Sequence, residues 1–161
     1  MRKVFGSIVL AIALVVAPAF AETITHDVAQ VSIGVPKGWK SKKDGEALTL
    51  MDKSEDTAVA FAVVDAGDLK DAAKRLDKHL QKKIKNLKWT KEEKANINGM
   101  KGVALDGDGM LDGKDVDLAV LVLDTPNPDK DLFVIAIAED DVLDDHIDEV
   151  KFVFKNLKPL K

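Results

Sequence analysis

The residues most suggestive of chemistry lie in L105-D-G-D-G-M-L-D-G-K-D-V-D117, with five aspartates and three glycines within positions 106–117. Clustered carboxylates offer oxygen-only ligands, a donor set that suits Ca2+ or Mg2+. A helix–loop–helix calcium loop needs acidic or amide residues at positions one, three and five, and Gly at six. Counted from Asp106, position five is Met110 and position six is Leu111; counted from Asp108, position three is Met110. Both registers fail. Asp112-Gly113 is instead a two-residue hairpin signal, because a type I′ turn needs positive φ at both central positions. With the turn there, Leu111 faces Lys114, Met110 faces Asp115, Gly109 faces Val116 and Asp108 faces Asp117. Alternation then puts Asp106, Asp108, Asp115 and Asp117 on one face. The other face carries Leu105, Leu111, Val116, Leu118 and Val120, with Gly107 and Gly109 leaving a groove that a helix can fill. Like charges opposed across strands are destabilising, so the four carboxylates need relief from solvent, a basic residue or a cation. A solvated hairpin tip is the first expectation, and weak divalent-cation binding is the alternative.

Two further charge constellations stand on helical spacing. Lys70, Lys74, Lys78 and Lys82 recur every four residues, with Arg75, Lys83, Lys85 and Lys88 nearby. They form either a solvated face, partly balanced by Asp71 and Asp77, or a docking surface for an acidic partner or anionic head groups. A nucleic-acid role would want interleaved aromatics and a net basic domain, and the sequence has neither. The acids Asp141, Asp144, Asp145, Asp148 and Glu149 surround His146, but one histidine makes a poor metal site. His26 and His79 have no recognisable partner. Trp39 and Trp89 each follow an element end, where a ring caps the core or serves as an exposed aromatic for binding.

Nucleophilic catalysis is poorly supported. There is no Cys or Tyr, no Gly-x-Ser-x-Gly and no phosphate-binding glycine loop. The reading is therefore of a non-enzyme without a cofactor, Ca2+ apart. A carboxylate hydrolase would need a concave pocket holding two acids from separate elements.

The chain opens M1-R-K-V-F-G-S-I-V-L-A-I-A-L-V-V-A-P-A-F-A21, a basic start, an apolar run, a helix-breaking Pro18 and a small-x-small end. This predicts a signal peptide, residues 1–21, cleaved after Ala21, in preference to an anchor, for which the apolar run is short. Residues 22–161 then form one exported domain, most simply periplasmic, with secretion as the alternative, and monomeric. Absent cysteine excludes disulfides and a lipid-modified cysteine, so stability must come from an ordinary core. Without Arg2 and Lys3 the mature chain has 22 basic against 28 acidic residues. Residues 22–101 hold 16 basic and 13 acidic, and residues 102–161 hold 6 and 15. Whether this asymmetry survives as a surface field depends on how folding interleaves the halves.

Periodicity supplies the elements that position these residues. Val31–Val35, Ala47–Met51 and Thr57–Val64 read as strands, the last apolar on both faces as a central, covered strand would be. Asp68 is an N-cap, and Leu69, Ala72, Ala73, Leu76, Leu80, Ile84 and Leu87 predict a helix of about five turns. Four more strands follow, over residues 88–97, 102–111, 116–123 and 132–138, the first closed by the Asn98-Gly99 turn. A second helix has the apolar stripe Leu143, Ile147, Val150, Phe154 and Leu157 and stops at Pro159. The order implies an α+β fold, a mostly antiparallel sheet of six to seven strands packed with two helices.

V31-S-I-G-V-P-K-G-W39 resembles the strand-Pro-x-Gly-Trp opening of PsbP-like domains, a superfamily that includes PsbP and DcrB-like bacterial envelope proteins. The similar order of elements continues to Lys155-Asn-Leu-Lys-Pro159. The resemblance implies an antiparallel sheet sandwiched by helices, without catalysis, acting by binding an envelope protein or assisting assembly. It carries no site residue over. The basic stripe and Trp39 are the candidate partner contacts.

Overall fold

The computed structural model describes residues 20–161; the predicted leader lies, apart from its last two residues, outside them. Ten strands, two helices and a 3-10 turn follow in order: β1 (Phe20–His26), β2 (Val31–Pro36), β3 (Lys40–Asp44), β4 (Ala47–Met51), β5 (Thr57–Asp65) and α1 (Leu69–Leu80). Then come β6 (Lys85–Ile97), β7 (Met100–Leu111), β8 (Lys114–Asp124), β9 (Lys130–Glu139), the turn Asp140–Val142, α2 (Leu143–Lys155) and β10 (Leu157–Pro159). β3-β4-β5-β9-β8-β7-β6 make a seven-stranded sheet, and β1-β2-β10 a separate three-stranded one. Every pairing is antiparallel. This is the expected α+β class, with a second small sheet that the periodicity did not announce.

The large sheet separates two apolar clusters. On one face Phe61, Leu121, Leu123 and Val134 pack with Val31, Ile33 and Val35 of the small sheet and with Val150, Val153 and Phe154 of α2. On the other face Ala72, Leu76 and Leu80 of α1 pack with Leu105, Leu118, Val120 and Val122. The two helices therefore lie on opposite faces of one sheet.

Three strands escaped prediction because their residues do not alternate. β3 (K-S-K-K-D) is wholly exposed, and its lysines guard an open sheet edge. β10 takes Leu157 out of the helix stripe: Asn156 caps α2, and Leu157 pairs with Ile33. α2 in turn buries Phe152 and Val153, which the predicted stripe omits. α1 is also shorter than predicted, ending at Leu80. Asn86 takes a φ of 54° at the irregularity that opens β6, between Lys85 and Lys88, while Ile84 stays in the core as part of the connection. The Asp68 cap accepts from the Lys70 and Asp71 amides at 2.9 and 3.2 Å, as its position predicted. No helix among the described residues is long and apolar enough to cross a membrane.

Candidate functional site

The acidic hairpin folds as its turn chemistry requires. Asp112 and Gly113 have φ of 50° and 82°, and Leu111↔Lys114, Met110↔Asp115, Gly109↔Val116 and Asp108↔Asp117 pair in that register. The glycine groove is filled by the chain that follows α1. A Cβ on Gly107 would lie 2.8 Å from the Trp89 ring, and one on Gly109 would lie 2.4 Å from Ile84.

The solvated-tip expectation needs correction for two of the four aspartates. Asp115 is exposed and Asp108 half-buried, but Asp106 and Asp117 keep only 7% and 5% of their surface. The reason is register: Asp106 lies beside Ala119, and Asp117 beside Ala138, at the rim of the larger core. Burial pushes the Asp106 carboxyl up to about 6, with Lys91 opposing the shift and Glu93 adding to it. A small hollow beside the hairpin is lined by Asp108, Gly109, Asp115, Val116, Asp117 and Asp140, so the 3-10 turn adds an acid that sequence reasoning did not place there. Among the described residues no three His, Asp or Glu side chains converge as metal ligands would.

Lys70, Lys74 and Lys78 are exposed on α1, and Lys82 is exposed just past its end. Asp71 lies 3.4 Å from Lys74, but Asp77 is committed elsewhere. It accepts the Trp89 indole N–H at 2.8 Å and the Gln81 amide at 2.9 Å, fastening helix to β6. The acidic residues Asp144, Asp145 and Asp148 are exposed on α2, across the sheet from these lysines. The charge asymmetry of the sequence thus survives folding as a basic helix and an acidic helix on opposite faces.

The tryptophans cap the core. Trp39 keeps 8% of its surface within the larger cluster, so its place among candidate partner contacts is corrected: a partner meeting the folded domain does not reach the ring. It stands edge-on to the His146 ring at 6.5 Å and 78°. His146 itself is not simply part of a solvated face. Its Nδ1 lies 2.6 Å from Glu149 and its Nε2 3.5 Å from Asp52, which is 2% exposed. Burial pushes the Asp52 carboxyl up, but hydrogen bonds from the Ser54 hydroxyl and the Thr57 and Ser54 amides, with the His146 charge, hold it below its ordinary value. His26, for which the sequence offered no recognisable partner, is 7% exposed: it donates from Nε2 to the Glu46 carbonyl at 2.7 Å and accepts the Ala29 amide on Nδ1. No spacing rule pairs residues 20 or 94 positions apart, so neither contact was legible.

No family sequence model matches the chain, and no curated protein matches it in sequence. Solved structures do. Cyanobacterial PsbP (CyanoP) from Synechocystis sp. PCC 6803 is 13% identical with a TM-score of 0.62, covering 92% of this chain and 97% of that one. LpqN, involved in cell envelope biogenesis of Mycobacterium tuberculosis, is 17% identical with a TM-score of 0.57, covering 85% and 88%. The Saccharomyces cerevisiae Ran-binding protein Mog1p is 9% identical with a TM-score of 0.58, covering 85% and 90%. The chain has a PsbP-like fold.

Proposed function

We propose that residues 22–161 form an exported, non-enzymatic binding or assembly-factor domain that acts by protein–protein contacts in the bacterial envelope. The observation that carries this is the separation of charge across the sheet, with exposed lysines on α1 opposite exposed aspartates on α2. Such a bipolar surface orients a charged partner and raises its encounter rate. Similarity in fold to a Ran-binding protein and to a cell-envelope protein is consistent with a binding role, though fold alone does not specify one. Export rests on residues 1–21.

The test is affinity capture from envelope extract, with the mature chain as bait. A specific partner should be recovered at low salt, lost at high salt, and lost from bait carrying Lys70→Glu, Lys74→Glu and Lys78→Glu. Recovery of none, even with crosslinking, would overturn the reading.

A further inference from the structure

The Asn98-Gly99 turn between β6 and β7 does more than reverse the chain. Asn98 takes a φ of 51° and Gly99 one of 94°, and the Asn98 side chain reaches out of the hairpin to the end of α2. Its Nδ2 donates to the Lys155 carbonyl at 2.9 Å and to the Leu157 carbonyl at 2.8 Å. Lys155 closes α2, so its carbonyl is one of those that a helix end leaves without an intrahelical partner, at the negative end of the helix dipole. Leu157 opens β10, where it pairs with Ile33 inside the larger core. One neutral side-chain amide thus fastens the β6–β7 turn to the junction of α2 with the small sheet.

That amide is also open to chemistry. Of the five asparagines in the chain, only Asn98 precedes glycine. Glycine, with no Cβ, presents the least hindered backbone nitrogen, and Asn98 and Gly99 are both exposed to water. When hydroxide takes the proton from the Gly99 nitrogen, that nitrogen can attack the Asn98 Cγ. The new N–Cγ bond closes a succinimide, and the Cγ–Nδ2 bond breaks to release ammonia, its third hydrogen coming from water. A water molecule then opens the ring at Cγ, giving aspartate, or at the Asn98 main-chain carbonyl, giving isoaspartate, with no change of oxidation state. In the folded domain both reacting groups are held. The Gly99 amide donates to the Asn96 Oδ1 at 2.9 Å, and the departing Nδ2 is bound to its two carbonyls. Attack therefore requires the turn to open first.

We infer that Asn98 is a deamidation site kept slow by the native fold, and that its conversion unfastens the β6–β7 turn from the end of α2. The product has the wrong chemistry for the contact. A carboxylate has no hydrogen to donate, and it would face two carbonyl oxygens at the negative end of a helix. With aspartate the turn itself survives, because Asp112-Gly113 holds the same backbone form at the other hairpin, with φ of 50° and 82°. Isoaspartate goes further and lengthens the backbone between the paired residues Ile97 and Met100. The inference is independent of the protein-contact reading above.

The mature domain would be held at mildly alkaline pH, native and in guanidinium chloride, and its tryptic peptide of residues 95–101 followed by mass spectrometry. In denaturant Asn98 should convert while Asn96, in the same peptide but before Ile97, stays intact. The native protein should convert about tenfold or more slowly, the factor expected when hydrogen bonds must break before attack. Asn98→Asp should lower the folding equilibrium constant about tenfold, and should speed hydrogen exchange at residues 155–157 more than in β8. Asn98→Gly keeps the positive φ and removes only the side chain, so it should speed the same exchange and keeps the test decisive should Asn98→Asp fold poorly. Equal conversion in native and unfolded protein, conversion at Asn96 as fast as at Asn98, no conversion in denaturant, or exchange at residues 155–157 that neither variant changes would each overturn the inference.

Discussion

Asp106→Asn should stabilise the protein, and the gain should depend on pH in a defined sense. The folded state holds this carboxyl near 6, against 3.8 for the free group, chiefly because burial disfavours its charge. That difference of about two units corresponds to about 3 kcal/mol for a fully desolvated group. Screening by Lys91 and by water at the sheet rim reduces the expected gain to about 1–2 kcal/mol. A raised folded-state pKa places the full penalty above about pH 6 and removes it as pH falls below about 3, where both states are protonated. Asparagine has no charge to desolvate, so the variant should gain its full margin at neutral pH and almost none at about pH 3. Urea unfolding across this range measures it, with a rise in Tm of roughly 3–6 °C at neutral pH as a second readout. Asp115→Asn is the control: the exposed carboxylate on the same face should change stability by less than about 0.5 kcal/mol. A variant less stable at neutral pH, or a gain that is the same at both ends of the range, would refute the reasoning.

Asp52 should behave in the opposite way. Its lowered pKa contributes stability that is present above the unfolded value of 3.8 and is lost as pH falls through the folded one, so Asp52→Ala should cost about 2–4 kcal/mol at neutral pH and less in acid, read by the same titration. Gly107→Ala should destabilise by about 1–3 kcal/mol in chemical denaturation, because the added methyl meets the Lys88 carbonyl and the Trp89 ring, both at 2.8 Å. Asp77→Ala removes the acceptor that holds Trp89, and should cost about 1–3 kcal/mol with a change in tryptophan fluorescence. Millimolar Ca2+ should leave the Tm of the mature domain unchanged if the acidic hairpin is a solvated tip, whereas a clear rise would favour its reading as a divalent-cation site.

Short-range physics was legible in the sequence. Asp112-Gly113 and Asn98-Gly99 form tight turns because Asn, Asp and Gly tolerate positive φ, and those turns fixed the pairing of β7 with its neighbours before any tertiary contact was known. Asp68 caps α1 because its side chain reaches amides two and three residues on. Period also separated strands from helices wherever one face was apolar. Tertiary structure decided what depends on distant partners. It made strands of β1, β3 and β10, whose own residues do not alternate, because pairing satisfies backbone groups whatever the side chains. It ended α1 at Leu80 and set Ile84, beyond the helix, against Gly109. It buried Asp106 and Asp117 and left Ala58, Ala60 and Ala62 partly open, the reverse of what polarity suggests. Alternation assigns residues to one face or the other, but only the packing of helices and the second sheet determines which part of each face meets water.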